Sequence, residues 1–164
     1  ALSAFVSETF SCVSAPVQYG ALAAFKNYES VRNHVELCRD IHEAAGEFLH
    51  QRFLEIGLNC PKPQGAFYLF PDFENYKDKL KSRGIHSSTE LTESLLNEVG
   101  VALLPGSDFY LPDEFLGVRV ASVDYNGEQL LKDFPVSSKL NQELKTSLFP
   151  KLDDACERIE MWLK

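Results

Sequence analysis

An α+β fold, with a small and mostly antiparallel sheet covered by long helices, is what this chain predicts, and three observations predict it. A helical repeat of apolar residues runs through the first third. Short β-branched and aromatic runs occupy the middle, and a second helical repeat closes the chain. Strands in near-neighbour pairs between long helices suit helices packed on one face of a small sheet. With 164 residues and 45% hydrophobic content the chain can build a core, since a chain of this size buries roughly two-thirds of its unfolded surface.

Residues 1–15 are rich in Ser, Thr and Ala without a clean period and read as an irregular lead-in segment. A helix is expected over 16–26, with Pro16 in its first turn, where a missing N–H costs nothing. A long helix is expected over 29–56. Val31, Val35, Cys38, His42, Ala45, Leu49 and Ile56 recur three, four or seven apart, and Ile41, Phe48 and Phe53 widen the stripe. Gly57 is placed to end it.

A hairpin follows, from 58–60 through a turn at 61–64 to a strand over 66–70, opened by Gly65 and stopped by Pro71. Residues 74–83 read as a short polar helix closed by Gly84. Ser88 reads as the N-cap of a helix to Val99, with Leu91, Leu95, Leu96 and Val99 inward and Gly100 as its C-cap. A buried strand over 101–104, a Pro105-Gly106 turn and a strand over 117–123 come next. Asn126-Gly127 breaks the chain before another helix. From 136 the pattern is helical, with a break or restart at Pro150 and Leu152, Ala155, Ile159 and Trp162 on the inner face.

A formal charge of -8 argues against a nucleic-acid partner, because the scattered basic residues form no patch. No apolar run approaches the ~18 residues of a membrane span, so no membrane partner is expected. Cys12, Cys38, Cys60 and Cys156 form no C-x-x-C pair. They fit reduced thiols and an intracellular, cytoplasmic setting. His34, His42 and His50 recur every eight residues, two turns plus about 80°, so they do not converge on a metal. Ser11, Cys12 and Ser14 lack a nucleophile elbow, and no glycine-rich phosphate loop occurs. No metal ligand set and no cofactor-binding residue is assigned.

Arg119 is the candidate for chemistry. In Gly117-Val118-Arg119-Val120-Ala121-Ser122, alternation puts Val118 and Val120 on one face and Arg119 with Ala121 on the other. An arginine in an apolar strand is costly unless its fork meets a carboxylate or phosphate. A guanidinium holds a carboxylate through two parallel hydrogen bonds, which lysine cannot. The same pattern also suits an arginine on the wet face of a sheet.

Four stretches, in order, resemble the C-terminal small domain of class I and II, fold-type-I, pyridoxal-phosphate-dependent aminotransferases. They are SETFSCVSAPVQYGAL at 7–22, PQGAFYLFPDF at 63–73, LLNEVGVALLPGSDF at 95–109 and GVRVAS at 117–122. The resemblance implies residues 16–164 as that small domain, with 1–15 leading in from a larger domain that is absent. It implies that Arg119 binds the substrate's α-carboxylate. It carries over Gly65, Phe67, Ser107 and Phe109 as candidates for lining the cleft. It implies pyridoxal phosphate in the full-length enzyme, bound through a lysine of the large domain, and amino-acid and 2-oxo-acid substrates. A homodimer is implied for the full-length enzyme.

The family's Ser-Lys segment with following Gly and Arg does not occur here. Ser138-Lys139 is followed by Leu140-Asn141-Gln142. The fragment alone is therefore expected to bind no cofactor and to be inactive. The same resemblance extends to carbon–sulfur lyases and cyclopropane-forming synthases that use this cofactor. A stand-alone interaction or amino-acid-binding module is the alternative from another class.

Overall fold

Helix α1 spans Ala15–Lys26 and helix α2 Tyr28–Ile56, within a computed structural model that describes residues 3, 13–135 and 140–164. The expected lead-in over 1–15 and the helical start at 136 fall largely outside those residues. The chain divides into two units, Ala1–Leu37 and Cys38–Lys164. In the first, α1 has Pro16 in its first turn and buries none of its residues. The start of α2 lies in the same unit. Its Val31 is only half-buried and its Val35 exposed. The apolar period is there, but no core meets it, so the expected stripe does not begin at Val31. It begins at Ile41.

In the second unit, Ile41, Ala45, Phe48, Leu49, Phe53 and Ile56 of α2 are buried. The sheet has three antiparallel strands, β1 (Tyr68–Leu69), β2 (Leu104–Pro105) and β3 (Val118–Ala121), in the order β1-β3-β2. The expected α+β class with a small antiparallel sheet is what forms. Tyr68 pairs with Ala121 and Leu69 with Val120; on the other side, Leu104 pairs with Arg119 and Pro105 with Val118. The ladder extends past the regular strands. Ser122 N–H donates to Phe67 O at 2.9 Å, Val118 N–H to Pro71 O at 3.0 Å, and Phe73 N–H to Leu116 O at 2.9 Å. Asn59 and Asp72 pair antiparallel, which closes the expected hairpin at its base.

Both outer strands are shorter than expected, for local reasons. Ala66 has a left-handed φ of 56°, so the chain turns there and the ladder starts only at Phe67. Val101 N–H returns to Leu95 O at 3.1 Å, so it closes the preceding helix instead of pairing with β3. That helix is α4, Ser88–Ser94, continued by a wider π turn over Leu95–Val99 and ended by Gly100 at φ 70°. Its N-cap is Ser87, not Ser88. Glu90 stands three residues after Ser87, and the two close a capping box: Ser87 Oγ accepts from Glu90 N–H, and Glu90 Oε2 from Ser87 N–H.

Between β1 and α4, a 3₁₀ turn over Glu74–Tyr76 leads into α3, Lys77–Ser82. Helix α5 is Gly127–Asp133, capped by the Asn126 side chain. Helices α6, Gln142–Leu148, and α7, Pro150–Leu163, end the chain. α7 buries Leu152, Cys156, Ile159 and Leu163, not the expected Ala155 and Trp162. The indole explains the shift. Trp162 Nε1 donates to Glu98 at 2.9 Å and its ring lies under Arg83, so it stays at the rim while Leu163 turns in. Val120 shares a cavity wall with Leu49, Phe53, Cys156 and Ile159, so the Val118/Val120 face of the sheet looks toward α2 and α7. Burial raises the Cys156 thiol to about 12 and the Cys60 thiol to about 11. No described helix is long and apolar enough to cross a membrane, and no metal-binding cluster occurs among the described residues.

Two contacts fix where β3 begins. Glu74 Oε1 accepts the N–H of fully buried Leu116 at 2.9 Å, and Lys77 Nζ donates to Glu74. Burial pushes this carboxyl up, but the Leu116 amide and Lys77 together hold it below the usual glutamate range. On the other edge, Gly106 N–H donates to Gly117 O at 2.9 Å. A Cβ on Gly106 would lie 2.9 Å from that same carbonyl oxygen, which is backbone and cannot swing away.

Glu74→Gln is expected to cost about 1–3 kcal/mol near neutral pH. A lowered folded-state pKa stabilises above the unfolded value of about 4.3 and loses that contribution as pH falls through the folded value. Urea unfolding should therefore show the gap between wild type and variant narrowing below about pH 4. Gly106→Ala should lower stability by about 1–3 kcal/mol through overpacking; an unmoved urea midpoint would show that the strands part freely.

Candidate functional site

Arg119 lies in the middle of β3, whose burial alternates as the sequence predicts: Val118 and Val120 are buried, Arg119 is half-buried and Ala121 exposed. Its face of the sheet is set by the register. Leu104 stands opposite on β2, and Phe70 takes the corresponding place on the β1 side. Tyr68, on the same face, is 44% exposed and Leu104 41%. This face is apolar and open, unlike the Val118/Val120 face.

Two rings flank the guanidinium. Arg119 Cζ lies 4.4 Å from the centre of the Tyr68 ring and 4.7 Å from that of Phe109. Phe70 meets Phe109 edge-on at 5.8 Å and holds it in place. Phe109 ends the 3₁₀ turn Gly106–Phe109. That turn is anchored by hydroxyls. Ser107 N–H donates to the Oγ of fully buried Ser88 at 3.3 Å, and Ser107 Oγ lies 3.4 Å from Ser88 Oγ and 3.3 Å from Thr89 Oγ1.

The ionic partners are as informative as the rings. Arg32, Arg39, Arg52, Arg83 and Arg158 each hold a carboxylate. Among the described residues Arg119 holds none, although acidic residues outnumber basic ones 24 to 16. Guanidinium N–H groups are strong donors and match a carboxylate in fork geometry. The arrangement is a cation held by aromatic faces with its donors left for an anion.

Of the five residues singled out from sequence, the structure brings Arg119 and Phe109 together, while Ser107 sits on the same turn with its hydroxyl on Ser88 and Thr89. Phe67 touches Tyr68 at 4.4 Å and His42 at 5.6 Å, so it backs the site without reaching Arg119 itself. Gly65 is exposed, with nothing within 4 Å of where its Cβ would stand. Tyr68 and Phe70 went unnoticed as site residues. The signal was there: once Arg119 is placed on one face of an antiparallel ladder, every second residue of the AFYLF run must share that face. His42 Nδ1 is also held, 2.9 Å from Tyr125 OH, a tie between α2 and the segment after β3 that no sequence pattern announces.

Comparison with known proteins decides the family. The model of the family described as "Aminotransferase class I and II" matches residues 3–129. The chain belongs to that family.

The aspartate aminotransferase of Bacillus subtilis (strain 168) is 36% identical over 125 residues, 76% of this chain and 30% of that protein. The probable aspartate/prephenate aminotransferase of Aquifex aeolicus (strain VF5) is 38% identical over 107 residues, 65% of this chain and 26% of that protein. Among solved structures, an aromatic aminotransferase from Pyrococcus horikoshii OT3 matches with a TM-score of 0.63 and 28% identity, covering 90% of this chain and 31% of that one. The chain spans about three-tenths of the length of the aspartate aminotransferase it matches.

Ser88→Ala removes the acceptor of Ser107 N–H without adding volume. It should cost about 1–3 kcal/mol in denaturant unfolding, the penalty of one unpaired buried donor. A change below about 0.5 kcal/mol, the scale of ordinary surface substitutions, would mean the turn does not depend on that hydroxyl.

Proposed function

We propose that residues 16–164 are the small domain of a pyridoxal-phosphate-dependent aminotransferase, with 1–15 leading in from a larger domain, and that Arg119 binds the α-carboxylate of its amino-acid and 2-oxo-acid substrates. Family membership supports the class of enzyme. The observation that carries the residue assignment is the Arg119 guanidinium, framed by Tyr68 and Phe109 with no carboxylate bound to it among the described residues.

The Arg119 face offers no amine for the cofactor's Schiff base. Tyr68, Phe70, Leu104 and Ala121 share the Arg119 face, and none is a lysine. Lys77, Lys145 and Lys151 are engaged with Glu74, Glu47 and Asp124. This chain's part is therefore positional. A carboxylate in the Arg119 fork gains charge-assisted hydrogen bonds worth about 1.5–3 kcal/mol. Two parallel bonds also fix the plane of the carboxyl group and the line of its Cα–C bond, which removes orientational freedom before any proton moves. On this reading residues 1–164 alone neither bind the cofactor nor transfer an amino group.

The test is Arg119→Lys in the full-length protein, assayed with L-aspartate and L-phenylalanine as donors. The lysine keeps the charge and loses the fork. The KM for the amino acid should rise about 10–100-fold, equivalent to about 1.4–2.7 kcal/mol, while the cofactor's absorbance spectrum is retained. An unchanged KM would remove Arg119 from substrate binding.

A further inference from the structure

We propose that Tyr68 and Phe109 are a positioning pair that clamps the Arg119 guanidinium between two rings, and that this clamp sets the affinity for the substrate carboxylate. The inference rests on the carboxylate-binding reading of Arg119 given above. The topology supplies the geometry. β3 is the middle strand, Tyr68 comes from β1 on one flank, and Phe109 lies just past β2 on the other. Rings at 4.4 and 4.7 Å from Cζ therefore reach the guanidinium from two different segments, one on each flank of β3 in the strand order.

In such contacts the cation meets the negative face of a ring. They leave the N–H edge alone, because a ring face is no substitute for an oxygen acceptor. A free arginine side chain must give up much rotamer freedom to bind an anion in one geometry. Here that freedom is already restricted before the anion arrives, which is how a preorganised site gains affinity.

Each ring is itself supported. Phe109 is held edge-on by Phe70 at 5.8 Å and carried on the turn that Ser88 anchors. Tyr68 rests against Phe67 at 4.4 Å, which in turn meets His42 of α2 at 5.6 Å. The Tyr68 hydroxyl makes no hydrogen bond among the described residues, so the ring and not the hydroxyl performs the clamping.

The experiment uses the full-length enzyme and four variants: Tyr68→Leu, Tyr68→Phe, Phe109→Leu and Arg119→Lys. KM and kcat are measured with L-aspartate and L-phenylalanine, and inhibition constants with succinate and 3-phenylpropanoate as non-reacting carboxylates. Circular dichroism and the cofactor spectrum report folding. Tyr68→Leu should raise KM and the inhibition constants about tenfold with kcat within twofold of wild type, the scale of a partly desolvated cation–π contact. Tyr68→Phe should restore both to within twofold of wild type, a rescue that a merely structural role of the hydroxyl would not give.

Phe109→Leu should act like Tyr68→Leu and provides the independent arm should either variant misfold. If Arg119→Lys raises KM and neither ring variant does, the clamp is wrong and the carboxylate reading stands. If Tyr68→Phe is as impaired as Tyr68→Leu, the clamp is wrong in favour of the hydroxyl. If Arg119→Lys leaves KM unmoved, the carboxylate reading fails and takes the clamp with it.

Discussion

The register of β3 between its two neighbours is the constraint on which the site depends. Four residues, Val118–Ala121, decide which side chains enter the core and which stand on the open face. A slip by one position would bury the Arg119 guanidinium and turn Val118 and Val120 outward. That exchange would cost about 1.5–3 kcal/mol for each valine, besides the desolvation of a charge. So short a strand cannot hold its register by its own ladder. Glu74 grips the amide of Leu116 just ahead of the strand, Gly106 and Gly117 touch main chain to main chain, and Ser122 closes the far end with both its amide and its hydroxyl on Phe67 O. Every one of these contacts lies outside the strand that it fixes.

Charge balance gives the open face its meaning. The chain carries an excess of acid, and its other arginines have each acquired a carboxylate, most of them on the surface, where such pairs contribute little. Arg119 is surrounded by Tyr68, Phe70, Leu104 and Phe109 instead. These neighbours stabilise a cation without neutralising it. A fence of apolar side chains also keeps the chain's own acids away, so that the guanidinium holds no carboxylate among the described residues.

Much of this was legible in the sequence, and the failures have identifiable physical causes. The alternation in GVRVAS placed Arg119 on its face correctly, because period two survives in a strand of any length. Gly100, Gly57 and Asn126 ended or began helices where expected, because caps are local. Helix faces were read less well. The α2 period runs back to Val31, yet only the part from Ile41 onward meets a core, and periodicity cannot reveal where its partner stops. In α7 the indole and Leu163 exchange roles because Glu98 and Arg83, far away in sequence, hold the indole at the rim. Strand ends at Ala66 and Val101 were set by a left-handed residue and a returning amide. The site was half visible. Arg119, Phe109 and Ser107 carried motif signals, whereas Tyr68 matters only through pairing with a strand some fifty positions later.

The contact between Gly106 and Gly117 closes residues 107–116 at the neck, like a drawstring. Below the neck, residues 110–115 contribute no hydrogen bond to the ladder. Lengthening a loop whose ends are already fixed costs only slowly increasing entropy, about 0.6 kcal/mol for each doubling. Insertions and exchanges over 110–115 can therefore accumulate in descendants of this chain without shifting β3. The tip of that loop is free to diversify while Arg119 and Phe109 stay where they are.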